Sequence, residues 1–245
     1  MALRPLKIVP LPLYLLLAVA LLGQLILRSH QPPPVPRPEA LPAPLQTDML
    51  RLFVLGEPVA GAKLLMLWLQ LFDNQPGISI PFRQLDYARV EGWLDRALQL
   101  DPRARYPLLA ASRLYGEVPD PRRQRRMLDF VYRRFLEDPG RRWPWLAHAV
   151  IIARHELHDL PLALKYARAL ADSPHRGEIP AWARQMHIFV LEDMGEVEAA
   201  RILIGGLLDS GRITDPHELA FLKRRLAQMS QQPAGEGRGQ GGLDP

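Results

Sequence analysis

The sequence predicts an all-α protein: an apolar N-terminal helix followed by a stack of helical hairpins. Three observations predict it. Residues 8–27 are a run of 20 without a charge. From residue 47 to 229 apolar side chains recur at helical spacing, and strand-like alternation is scarce. Matching residues recur 37 positions apart in the second half of the chain.

The first element is IVPLPLYLLLAVALLGQLIL, residues 8–27. About 20 apolar residues make a helix long enough to cross a bilayer. Pro10 and Pro12 fall in its first turns, where a missing amide donor costs least, and Tyr14 falls near headgroup level. The run is long for a signal peptide. Gln-Leu-Ile-Leu-Arg-Ser-His after Gly23 offers no small-x-small cleavage site, so the segment reads as an uncleaved transmembrane signal anchor. Arg4, Lys7 and the amino terminus on one side slightly outweigh Arg28 and Arg37, offset by Glu39, on the other. That bias places residues 1–7 in the cytoplasm and the bulk of the chain outside it, in the periplasm of a bacterium. Residues 28–46 read as an extended spacer, with seven prolines between 31 and 46.

The helical domain, 47–229, follows. Residues 64–72 are apolar but only nine long and include Gln70, so they read as a buried helix rather than a second span. Pro58 suits its first turn. The candidate hairpins are 58–73 with 83–100, 105–116 with 121–137, 143–157 with 161–171, and 180–194 with 196–209. Trp145 and Trp182 are 37 apart, as are Ala163 and Ala200, and Asp101-Pro102 and Asp138-Pro139. The turn His158-Asp159-Leu160 falls 37 before Gly195-Glu196-Val197. Second helices carry one apolar stripe each, Val90, Leu94 and Ala97 in one and Leu162, Tyr166 and Ala169 in another. A last helix starts at Asp215-Pro216-His217-Glu218, with Asp215 as cap and Glu218 reaching back to it. Leu219, Leu222, Leu226 and Met229 give it a narrow apolar stripe. Residues 230–245 are rich in Gly, Gln and Pro and read as a disordered tail.

GWLDRALQLDP (Gly92 to Pro102), HDLPLALKYARALADSP (His158 to Pro174) and GEVEAARILIGGLLDSG (Gly195 to Gly211) resemble the turn and second helix of tetratricopeptide repeats. The resemblance covers residues 83–211. The period is 37 rather than the family's usual 34 or so, and the family's first-helix Trp, Leu-Gly and Tyr positions are poorly kept. The resemblance implies a right-handed solenoid of hairpins that holds proteins or peptides, and no catalysis.

Composition narrows the function further. The 245 residues include no cysteine, which excludes a disulfide framework, a thiolate metal site and a cysteine nucleophile. No Gly-x-Ser-x-Gly, phosphate loop or dinucleotide fingerprint occurs, so the chain reads as a non-enzyme without cofactor. Glu192 and Asp193 sit at a hairpin turn, where adjacent acids are solvated. His148, His155 and His158 share one helix but lack a carboxylate at ligand spacing, so no metal site is expected. Residues 47–229 hold 26 basic and 23 acidic residues, too balanced for nucleic acid.

Two candidate partner-binding features remain. Arg122, Arg126 and Arg133 fall in a narrow arc of helix 121–137, with Asp129 between them; they suit an acidic partner or anionic headgroups, or else a solvated face. Trp143 and Trp145, in Trp143-Pro144-Trp145 at the opening of a helix, suit a binding hot spot or a wedge between hairpins. The loop 73–81, DNQPGISIP, is long for a hairpin connection. Together these features point to a single-pass inner-membrane scaffold whose domain binds protein subunits of an envelope complex, with no nucleic acid and no small-molecule ligand. The alternative is a cytoplasm-facing membrane protein that binds anionic lipid or an acidic partner through the arginine-rich helix.

Overall fold

The computed structural model describes residues 10–30, 40–75, 78–79, 84–175, 177–211, 213 and 215–231. Among these the chain is all-α apart from one two-residue antiparallel pair. Residues 1–9 and 232–245 lie outside the described residues, and with them most of the expected tail.

Helix α1, Leu11–His30, is apolar and long enough to cross a membrane over Pro12–Ser29, and that window buries nothing against the rest of the chain. It starts three residues later than the sequence suggests and ends three later. Pro10 precedes the helix and its carbonyl accepts the Leu13 amide at 2.9 Å, while Pro12 lies in the first turn. Gly23 lies inside the helix without ending it, and the helix runs through Arg28 to His30.

The spacer assignment of 28–46 needs correction at both ends. Residues 28–30 are helical, 31–39 lie outside the described residues, and 40–46 form an extended strap docked on the domain. Leu41 is buried. The Leu41, Pro42 and Leu45 carbonyls accept from Arg89, Trp93 Nε1 (2.9 Å) and Arg96 Nε (2.8 Å). A proline-rich segment in extended form leaves its carbonyls unpaired within itself, so they are available to a neighbouring helix. Gly92 makes room for the strap: a Cβ there would lie 2.4 Å from Pro44 Cγ.

Helices α2 (Thr47–Phe53) and α3 (Pro58–Gln70) follow, then a 3₁₀ turn over Leu71–Asp73. Ala62, Met66 and Leu69 of α3 are buried, but Leu64, Leu67 and Leu71 are exposed, against the expectation of a wholly buried helix. Among the described residues, α2 and α3 are the first packed pair and pack on α4. The loop 73–81 contains β1 (Asn74–Gln75) and β2 (Ile78–Ser79), paired Asn74 to Ser79 and Gln75 to Ile78; its remaining residues 76, 77, 80 and 81 lie outside the described residues.

The stack continues with α4 (Tyr87–Leu100), α5 (Tyr106–Arg113), α6 (Pro121–Glu137), α7 (Pro139–His155), α8 (Leu160–Asp172), α9 (Ala181–Arg184), α10 (Met186–Asp193), α11 (Val197–Asp209) and α12 (Pro216–Gln231). Asp86, Asp120 and Asp159 cap α4, α6 and α8 through backbone amides of the first turn. Helix α7 begins four residues earlier than expected, at Pro139 after Asp138, so Trp143-Pro144-Trp145 lies in its second turn rather than at its opening. The expected helix 180–194 is divided at Gln185, a buried residue whose amide side chain donates to Glu218 of α12. Glu218 therefore does not reach back to its own helix start. Among the described residues, Asp215 caps there, accepting from the His217 amide at 2.8 Å. Helix α12 extends two residues past 229, so Ser230 and Gln231 belong to it.

From α3 to α8 each helix packs on the next; α8 and α11 each pack on α10, and α11 on α12. Second neighbours also meet, α4 with α6, α5 with α7 and α7 with α10. The α4 stripe is inside, with Val90, Leu94 and Ala97 fully buried; of the α8 stripe Tyr166 is fully buried while Leu162 and Ala169 are half-buried, and of the α12 stripe Leu222 and Met229 are buried while Leu219 and Leu226 are half-buried. Two apolar clusters result, one spanning Leu41 to Val131 and one spanning Leu128 to Met229. The 37-residue period reappears as geometry. Tyr166 donates to Asp129, 37 residues away, at 2.8 Å. His158 and Gly195, also 37 apart, both take positive φ, +50° and +81°.

Candidate functional site

The first helix of each pair contributes to one side of the stack, and there the surface is grooved. Two open grooves, of about 520 and 530 Å³, adjoin through Arg105 and Tyr106 at the start of α5. Met66 and Leu67 of α3 line the first, and Leu109, Trp143 and Trp145 line the second. Pro107 and Pro139 in the first turns of α5 and α7 set where these helices begin. Because residue 144 is proline, the Gly140 carbonyl lacks its i+4 amide donor, and both residues line the second groove.

Trp143 and Trp145 do different work. Trp143 packs on the C-terminal cluster and meets the exposed Trp182 edge to face, with centroids 5.5 Å apart. Trp145 packs on the N-terminal cluster. The motif joins the two cores and presents its remaining half-exposed aromatic surface to the groove. The rim is basic. Arg105 and Lys63 are exposed and make no ion pair among the described residues, while Arg141 pairs with Asp138 at 2.6 Å. Asp101 is the acid lining the first groove.

The structure does not bring the arginine arc to this groove. Arg126 and Arg133 both pair with Glu91 of α4, and Arg134 pairs with Asp95. They line a separate, smaller groove of about 340 Å³ with these same acids. Arg122 is exposed and unpaired among the described residues. Asp129 turns to α8 instead, accepting from Tyr166 and lying 3.9 Å from Lys165. Partnered in this way, the arc holds adjacent hairpins together more than it presents free charge. Arg142 is buried: its guanidinium donates to the Arg134 carbonyl (2.6 Å), Glu137 (2.7 Å) and the Pro102 carbonyl (3.1 Å).

No family model, curated protein or solved structure matches this chain.

Other polar groups are accounted for by packing. His148 lies 3.2 Å from Glu117, and the described residues contain no group of three or more side chains able to hold a metal. A fourth groove of about 440 Å³ lies between α8, α10 and α11. Arg184 there donates to the Ala171 and Ser173 carbonyls. Burial lowers the His187 pKa, opposed by its bond to the Arg184 carbonyl. Burial and the Asp129 carboxylate raise the Tyr166 phenol, keeping it a neutral donor. At the α8 cap, burial would raise Asp159, but the Leu162 amide and Arg125 outweigh it and hold the carboxyl below its usual range.

Sequence reasoning found the two tryptophans but missed Arg105, Tyr106 and Leu109. The signal was present: Tyr106 lies 37 before Trp143, so the same register that pairs the hairpins places both on one side of the stack.

Proposed function

We propose that this chain is a membrane-anchored, non-catalytic scaffold that holds a segment of a protein partner in the groove lined by α3, α5 and α7. The observation that carries the reading is that groove: two adjoining hollows sharing Arg105 and Tyr106, floored by apolar and aromatic side chains, with a basic rim. Its chemistry suits an extended or helical segment with apolar anchors and acidic flanks. The helix order and the second-neighbour packing support a right-handed solenoid of tetratricopeptide-like hairpins. Helix α1 serves as the anchor in a bacterial inner membrane, with the domain in the periplasm, and the partner is a subunit of an envelope complex. The partnered state of Arg126 and Arg133 favours this reading over one in which the arginine arc binds lipid from the cytoplasm.

The test is affinity purification of the tagged full chain from mild-detergent membranes, followed by mass spectrometry. The proposal expects a stoichiometric partner that is lost in Arg105→Glu and in Trp143→Ala and retained in Arg122→Ala. A partner set indifferent to the groove variants, or no partner even after cross-linking, refutes it.

A further inference from the structure

Helices α2 and α3 meet at a bend of 103°. Leu52, Phe53 and Leu55 at that bend are 77, 71 and 90% exposed. The exposed apolar residues continue along α3 through Leu64 and Leu67 to Leu71 in the 3₁₀ turn that follows; these are 65, 58 and 64% exposed and spaced i, i+3, i+7. This stripe lies on the opposite side of α3 from Ala62, Met66 and Leu69, which pack inward. Both α2 and α3 pack on α4, so the exposed apolar side chains are those turned away from the body. A single exposed leucine is ordinary; six large apolar residues this exposed between positions 52 and 71 mark an interaction surface.

We propose that this elbow seats in the interfacial layer of the same bilayer that holds α1. Three observations select lipid as the occupant. First, the surface projects: Leu55, at the turn between the helices with φ +49°, is the most exposed large apolar residue among those described, and a bilayer accepts such a wedge without a complementary pocket. Second, residues 31–39 separate the end of α1 from the docked strap, and fully extended they span at most about 35 Å. The elbow is therefore held at high local concentration beside a membrane surface. Third, the charges sit at the margins. Lys63 borders the stripe with an exposed ammonium suited to phosphate headgroups, and Arg51 and Asp48 pair with each other at 3.5 Å. Since α3 also lines the groove through Lys63 and Leu67, a seated elbow opens the groove beside the bilayer, within reach of a juxtamembrane segment of a partner.

The chain has no cysteine, so single cysteines report cleanly on position. The full chain, reconstituted in vesicles of phosphatidylcholine and phosphatidylglycerol, would carry an environment-sensitive fluorophore at Leu55→Cys or Leu64→Cys. Leu17→Cys in α1 serves as the lipid control and Ile202→Cys on α11 as the water control, both being exposed. Lipid carrying a shallow nitroxide is the quencher. The proposal expects a blue shift and loss of emission at 55 and 64, resembling 17 and not 202. Because a label itself adds apolar surface, a second variant with Leu52→Asp and Phe53→Asp is read at Leu64→Cys, where the quenching must fall. Probes at 55 and 64 that stay as wet as 202, while 17 is quenched, overturn it. A blue shift that grows with protein density in the vesicle, without lipid quenching, assigns the elbow to a second copy and also overturns it. If 17 itself is not quenched, the anchor fails and the elbow proposal fails with it.

Discussion

Arg142 is buried to 7% exposure, yet it carries a full charge. Replacing it by alanine removes donors from the Arg134 and Pro102 carbonyls and from Glu137. The Glu137 side chain is 49% exposed and regains water, so its share is small. The two carbonyl bonds dominate, at about 1.5 kcal/mol each for a charged donor, which gives a loss of about 3 kcal/mol. For a domain of this size that corresponds to a fall in Tm of roughly 6–12 °C. The assay is helical circular dichroism of the full chain in mild detergent, against urea and against temperature. Arg142→Lys keeps the charge but reaches fewer acceptors and falls between wild type and alanine. A double-mutant cycle with Glu137→Ala apportions the rest, and its coupling energy stays under about 1 kcal/mol. A loss below about 1 kcal/mol in a folded Arg142→Ala, or a coupling that accounts for most of the loss, refutes the assignment of Arg142 as the tie between α6, α7 and the turn at Pro102.

Three further outcomes follow from the geometry. His158 holds φ +50° where Gly195 holds the matching turn, so His158→Gly raises stability by about 0.5–1 kcal/mol, read from the urea midpoint. Burial, aided by Arg168 and Arg184 and opposed by the Arg184 carbonyl and Asp172, lowers His187 below its ordinary 6.5; the unfolded chain binds this proton first, so its contribution is complete above pH 6.5 and is lost as pH falls toward the depressed value. Stability measured across that window declines less steeply in His187→Gln. Trp93→Phe removes the donor to the Pro42 carbonyl and loosens the strap, so amide hydrogen exchange at the few donors of residues 40–46 quickens while exchange at the centre of α6 is unchanged.

Much of the fold was legible because its grammar is local. Asp-Pro and Asp-x-x starts, and stripes such as Val90, Leu94 and Ala97, are written within a single helix. They located α6 to the residue and α8 and α11 to within one at either end. What was not legible depends on neighbours. The strap over residues 40–46 reads as a spacer until Gly92 and the donors on α4 are placed beside it. The α3 stripe reads as core until the stack is seen to place no described element on its outer side. The arginine arc looked available because Glu91 and Asp95 lie more than 30 residues away in sequence, one hairpin earlier in space. Of the candidate binding residues, Trp143 and Trp145 reach the groove, whereas Arg126 and Arg133 are taken up by inter-helix pairs. Tyr106 was hidden by its ordinariness, and only its 37-residue offset from Trp143 gave it away.

The most direct test of the scaffold is photocross-linking from within the groove. A photoreactive phenylalanine analogue placed at Tyr106 or Leu109 of the full chain, in intact cells, is predicted to give one discrete adduct with a membrane or envelope protein. The same analogue at Arg122, an exposed residue of α6 outside the groove lining, is predicted to give none, and Trp143→Ala to abolish the Tyr106 adduct. Adducts of the same kind from Arg122, or a Tyr106 adduct that survives Trp143→Ala, contradict the claim that this groove holds the partner.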